Sequence, residues 1–148
     1  MTYEHRQFSP WPLAVLGLYG LAAARHKGAK GKRLRKQAPS LGLALFTAQF
    51  CVLNTRVNES GVSWNFGFGF PSGFIPFDEI AHVELTKTKL WEGAGIHWTP
   101  AHGWLWKAAG SDAVKIRKRS GAVVTIGTDD AAGLRDAIAR FTAIASST

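Results

Sequence analysis

The sequence predicts a mainly β fold: a strongly bent antiparallel sheet or barrel of about seven strands, closed by a C-terminal amphipathic helix and preceded by an N-terminal apolar helix. From Val62 to Phe70, Val62, Trp64, Phe66, Phe68 and Phe70 alternate with Ser63, Asn65, Gly67 and Gly69, the pattern of a strand with one buried face. Similar short alternations separated by turn residues recur as far as Gly127. Beyond that point the period changes to that of a helix.

The elements follow in order. Leu53 to Val57 and the Val62 strand flank Asn58-Glu59-Ser60-Gly61, whose Asn and Gly suit a hairpin turn. Pro71-Ser72-Gly73 breaks the strand, and Phe74-Ile75-Pro76-Phe77 is a short edge piece because Pro76 cannot donate to a ladder. Ala81, Val83 and Leu85 alternate with His82, Glu84 and Thr86. Ile96 and Trp98, then Trp104 and Trp106, bracket Thr99-Pro100-Ala101-His102-Gly103 as a second hairpin. Val114 and Ile116 run to a turn at Ser120-Gly121, from which Val124 and Ile126 return.

The closing helix is predicted over 129–144. Thr128 or Asp129 caps its first free amide groups, and Asp130 favours the positive end of the helix dipole. Leu134, Ala137, Ile138 and Phe141 share a face, leaving Arg135, Asp136 and Arg140 outward. One domain of this kind suits a chain of 148 residues with nine Phe and six Trp. The single cysteine, Cys51, lies in an apolar run and reads as a small buried hydrophobe.

Charge divides the chain. Residues 1–40 hold eight Lys or Arg against one acidic residue, whereas residues 41–148 hold ten against nine. The excess sits in Arg25, Lys27, Lys30, Lys32, Arg33, Arg35 and Lys36, interrupted by Gly28 and Gly31, so residues 25–37 read as a solvated basic connector. Before it, Phe8 to Ala24 carries no charge and reaches only the lower limit of about 17 residues for a bilayer span. A secretory signal would place its cations before the apolar run, and here they follow it. The chain is thus divided into an N-terminal apolar segment (about 8–24) with its basic connector in 1–40, and a β domain in 41–148.

An apolar run followed by dense cations is the order expected when the charges stay on the cytoplasmic side. A second uncharged run, Leu41 to Leu53, is too short to span and is ambiguous between strand and helix. Pairing the two runs as a helical hairpin separates connector from β domain, while a single span keeps both on one side. Charge favours the single span, and the expected location is the inner cell membrane with the β domain on the cytoplasmic face.

Several segments together resemble a known family: Leu53-Asn54-Thr55-Arg56-Val57, Gly61-Val62-Ser63-Trp64, Phe66-Gly67-Phe68-Gly69, Ile75-Pro76-Phe77-Asp78-Glu79-Ile80, Gly93-Ala94-Gly95-Ile96-His97-Trp98-Thr99-Pro100, Gly103-Trp104-Leu105-Trp106 and Ile126-Gly127-Thr128-Asp129. They are similar to small, mostly uncharacterised bacterial proteins that join an N-terminal membrane segment, often two helices, to a pleckstrin-homology-like (PH-like) domain. The resemblance covers about residues 42–142. It implies a bent antiparallel sheet closed by the C-terminal helix, and it implies no catalytic residue or cofactor. Two departures stand out. Residues 25–37 are basic where relatives stay apolar, and the Asn58–Gly61 loop lacks the Lys and Arg with which eukaryotic PH domains hold inositol lipids.

No catalytic constellation accompanies these features. His82, His97 and His102 lack the spacing of zinc frameworks, so no metal is expected. A helix start accounts for Asp129 and Asp130, and Ser72, Ser111 and Ser120 fall outside any nucleophile elbow. Phe66-Gly67-Phe68-Gly69-Phe70 lacks the lysine and helix of a phosphate loop. The reading is therefore a non-catalytic adaptor or platform without cofactor, partnered by a lipid bilayer and a protein not specified by sequence, with no small-molecule substrate indicated. The connector cations would meet acidic lipid, and Trp91, Trp98, Trp104 and Trp106 are candidates for a ligand or partner surface, with core filling the competing role. The second-ranked reading binds nucleic acid through the connector, the Lys115, Arg117, Lys118, Arg119 strand and exposed aromatics. No nucleic-acid motif accompanies it.

Overall fold

A computed structural model of the chain describes residues 2–25, 38–89 and 92–145. Among the described residues, nine strands form two sheets, and three α-helices accompany them. Sheet 1 has the order β1 (Tyr3–Phe8), β2 (Val52–Asn58), β3 (Gly61–Phe66), β4 (Ser72–Pro76), all antiparallel. A single 3-10 turn at Phe77–Glu79 carries the chain into sheet 2, ordered β5 (Ile80–Lys87), β8 (Asp112–Lys118), β9 (Val123–Gly127), β7 (Gly103–Lys107), β6 (Gly95–Thr99). Among the described residues, the two sheets do not close into a barrel, and the strands number nine rather than about seven. One further departure is that β7 and β9 run parallel. The β8–β9 hairpin folds back between β5 and the β6–β7 hairpin, which leaves β9 beside a strand of the same direction.

Inward side chains from both sheets build one core: Leu53, Val57, Val62, Trp64, Phe66 and Ile75 from sheet 1, and Val114, Ile116, Val124 and Ile126 from sheet 2. Trp64 meets Trp106 edge to face at 5.7 Å between ring centroids. That geometry requires Gly73, because a Cβ there would lie 2.3 Å from the Trp64 ring. Helix α3 (Ala131–Ala145) bridges the sheets at the β1/β2 and β5/β8 side, burying Leu134, Ala137 and Ile138 and stacking Phe141 on Phe77 at 5.7 Å. Its cap is Asp130, one residue beyond the expected positions. The Asp130 carboxylate accepts from the Gly133 amide at 3.0 Å, while the Thr128 hydroxyl accepts from the Asp130 amide.

The sequence reading had no strand before Trp11. Tyr3–Phe8 is nonetheless an edge strand paired along its length with β2, from Tyr3↔Val57 to Phe8↔Val52. Between those paired ends the chain makes a helical excursion, α1 (Trp11–Arg25) and α2 (Ala38–Gln49), whose helices pack on one another. The ambiguous Leu41 to Leu53 run thus resolves into the end of α2 and the start of β2. No helix among the described residues is long and apolar enough to cross a membrane. At 1.5 Å per residue, the 15 residues of α1 rise only about 22 Å against a hydrocarbon core of about 30 Å.

Strand β3 also stops earlier than its pattern suggests. Gly67 (φ 42°) and Gly69 (φ 102°) turn the chain out of the sheet after Phe66, so Phe68 and Phe70 leave the buried face. A Cβ at Gly67 would strike the Gln49 carbonyl oxygen at 2.6 Å.

Candidate functional site

Functional interest centres on the end of sheet 1 where the helical excursion begins and ends. Residues 10–24 and 38–53 contain no charged side chain. Leu13, Val15, Leu18, Tyr19 and Leu21 of α1 and Leu43, Leu45 and Phe46 of α2 are exposed. Among the described side chains of the two helices, the exposed ones are apolar, aromatic or small, so the hairpin offers apolar surface.

The root of the hairpin is firmly joined to the β body. The Ser9 amide donates to the Cys51 carbonyl at 2.7 Å, and Phe50 packs on core residue Phe66 at 5.1 Å and on Phe46 at 5.4 Å. Cys51 is buried there, and burial pushes its thiol above the ordinary range. Gln49, the last residue of α2, holds the β3–β4 turn. Its side-chain amide donates to the Phe66 carbonyl at 3.2 Å and to the Phe70 carbonyl, and its oxygen accepts from the Phe68 amide at 3.2 Å. The Gly67 amide adds a bond to the Val52 carbonyl at 2.9 Å. Phe68 and Phe70 project from this bonded turn with 86 % and 78 % of their surface exposed. Nearby, Phe46, Thr47, Phe50, Ala94, Gly95 and Ile96 line a cleft of about 380 Å³.

Of the residues singled out by sequence, Arg25 ends α1, while Lys27, Lys30, Lys32, Arg33, Arg35 and Lys36 lie outside the described residues, as does Trp91. The remaining tryptophans separate into two roles. Trp106 sits between the sheets against Trp64 and Phe66, whereas Trp98 and Trp104 face each other across the β6–β7 ladder and are exposed. The sequence pattern places Phe68 and Phe70 on the buried face of a strand, where the structure exposes them, and gives Gln49 no role. The available signal was the pair of glycines that separates Phe68 from Phe66 and from Phe70.

The polar candidates are dispersed. On the outer face of sheet 2, Lys107 is buried and donates to the Lys89 carbonyl at 3.0 Å, and its desolvation lowers its pKa against the pull of Glu92. His102 lies 3.6 Å from Glu92, and the Thr125 hydroxyl donates to the His102 carbonyl at 2.7 Å. These bonds clamp the β5–β6 connection over the sheet. Among the described residues, no three of His, Cys, Asp or Glu are grouped to hold a metal ion. Two of the β8 cations are matched by carboxylates: Lys115 with Glu84 at 3.3 Å and Lys118 with Glu79 at 3.2 Å. Compared with known proteins, the chain matches no family model and no curated protein.

Proposed function

We propose that the protein is a non-catalytic, membrane-associated binding platform whose α1–α2 hairpin embeds in the cytoplasmic leaflet of the cell membrane. The single observation that carries this reading is the cluster of exposed apolar side chains on that hairpin, the kind of surface that marks membrane or protein contact. Arg25, Lys27, Lys30, Lys32, Arg33, Arg35 and Lys36 of the connector contact acidic headgroups, each cation near the surface contributing about 1 kcal/mol. The two-sheet body, PH-like in this reading, serves as the adaptor, and the exposed Trp98–Trp104 pair is its candidate protein-contact surface.

The single span favoured by charge gives way here. Phe8 and Val52 are paired, so the segment between them leaves and rejoins one side of the membrane and crosses it an even number of times. Helices too short to cross favour no crossing, which keeps connector and body on the cytoplasmic face as the charge distribution asks. Pairing of Lys115 and Lys118 with carboxylates weakens the nucleic-acid alternative, which is left with the connector, Arg117 and Arg119.

The test uses full-length protein in right-side-out and inverted membrane vesicles, with a single reporter cysteine at position 31 or 148 in a Cys51→Ala background. Membrane recovery with both sites labelled only in inverted vesicles supports the reading. Labelling of position 31 from the opposite side to position 148 overturns the uncrossed hairpin, and a protein recovered wholly in the aqueous fraction overturns the membrane assignment.

A further inference from the structure

The β3–β4 turn displays two phenylalanines in a way that neither the core nor the adaptor role explains. Exposed apolar residues are commonplace singly, but Phe68 and Phe70 stand two residues apart on a turn held by six hydrogen bonds, three of them made with the Gln49 side chain. Gln49 terminates α2, so the position of the turn is tied to the hairpin rather than to the sheet alone. Phe46 of α2 is 65 % exposed, and Phe8 and Trp11 are exposed where β1 gives way to α1. Aromatic side chains therefore ring the root of the hairpin.

Resting on the membrane reading above, we infer that Phe68 and Phe70 form a second membrane-contact element, which enters the headgroup–acyl boundary beside the hairpin and sets the depth and tilt at which the β body sits. The occupant of this surface is a phospholipid bilayer. Continuity with the charge-free hairpin supports that choice, as does the lack of any charged residue from Gly61 to Pro76. Aromatic rings favour the membrane–water interface, where an apolar body and a polar backbone can both be satisfied. A turn already ordered by Gln49 also loses little conformational freedom on insertion.

The experiment measures partition of the full chain onto vesicles of equal parts phosphatidylcholine and phosphatidylglycerol, for wild type and the Phe68→Ser/Phe70→Ser variant. Removing two inserted rings should weaken binding by at least about tenfold. Both side chains are solvent-facing, so the unfolding midpoint should stay put. In parallel, a Phe68→Cys variant in a Cys51→Ala background carries a polarity-sensitive fluorophore, whose emission should shift to the blue on vesicle addition and be quenched by lipid nitroxides near the headgroup. Unchanged partition together with unchanged emission overturns the inference while leaving the hairpin reading intact. Wild-type protein that ignores the vesicles overturns both. Loss of self-association in the double serine variant without lipid assigns the turn to a second copy of the chain and likewise overturns it.

Discussion

The two-sheet body and the α1–α2 hairpin draw on the same apolar residue types and place them in opposite surroundings. Phe66 is wholly buried between the sheets, whereas Phe46, on the hairpin, is 65 % exposed, and Phe50 packs on both. In the body each inward row meets another row from the facing sheet. Nothing in the described chain plays that part for the hairpin. Among the described residues, burial is therefore completed internally in one region and left incomplete in the other.

The largest effect expected from this contrast is on binding. Because β1 and β2 pair directly with each other, replacing residues 12–45 by a short Gly/Ser linker should leave the body folded and abolish vesicle recovery. Circular dichroism and vesicle flotation on the same preparation check both halves. A truncated protein that unfolds shows that the hairpin contributes to the body, and the contrast breaks.

Next in size is a comparison within one alternating run. Phe66→Ala should cost about 3–5 kcal/mol in denaturant unfolding, because it opens a cavity beneath Trp106 and Phe50. Phe68→Ala, two residues along, should stay within about 0.5 kcal/mol of wild type in the absence of lipid. Equal losses would mean that Phe68 is packed in solution. At Gly73, Ala places a methyl 2.3 Å from the Trp64 ring and should cost about 1–3 kcal/mol, readable from the same unfolding curves and from altered near-ultraviolet tryptophan signals.

Those cases also mark what the sequence makes legible. Strands β2, β5, β8 and β9 and helix α3 stand where local periodicity puts them, although β5 leaves Ala81 and Leu85 exposed and β9 buries Thr125 together with Val124 and Ile126. The period does not say where a buried face ends. Phe68 and Phe70 keep the rhythm of β3 after the chain has left the sheet, and the glycines at 67 and 69 are the local sign of that departure. Strand β1 was illegible for a different reason. Its inward residues are Tyr3, His5 and Gln7, whose partners Asp130, Asp129 and the Ala109 carbonyl lie more than a hundred positions away. The parallel β7–β9 pairing is similarly non-local, because it depends on where a whole hairpin folds back. At the candidate site the apolar runs and the cations were legible. That both runs belong to one excursion with its two ends on sheet 1 was not, since it follows from pairing Phe8 with Val52.

The polar edge of the body supplies the smallest and most specific test. Tyr3 donates to the Asp130 carboxylate at 3.0 Å, while the other oxygen of that carboxylate caps α3 through the Gly133 amide, so one side chain ties β1 to the start of the closing helix. Burial, followed by the hydrogen bond and charge of Asp130 and the charge of Asp129, raises the Tyr3 pKa well above its ordinary value of 10.0. The folded state consequently keeps the phenolic proton at pH values where the unfolded chain has released it. With fewer protons bound in the unfolded state, stability falls as pH rises past 10.0, and the contribution of Tyr3 is complete only below that value. Tyr3→Phe should therefore cost about 1 kcal/mol at neutral pH. The gap between the two proteins should hold flat through neutral and mildly alkaline solution, then narrow above pH 10.0 as unfolded wild type ionises. Urea titrations of both proteins across that range read the gap directly. A gap that stays constant into strong alkali would show that β1 is held by its ladder to β2 alone, and that its polar inward face adds nothing to the joint with α3.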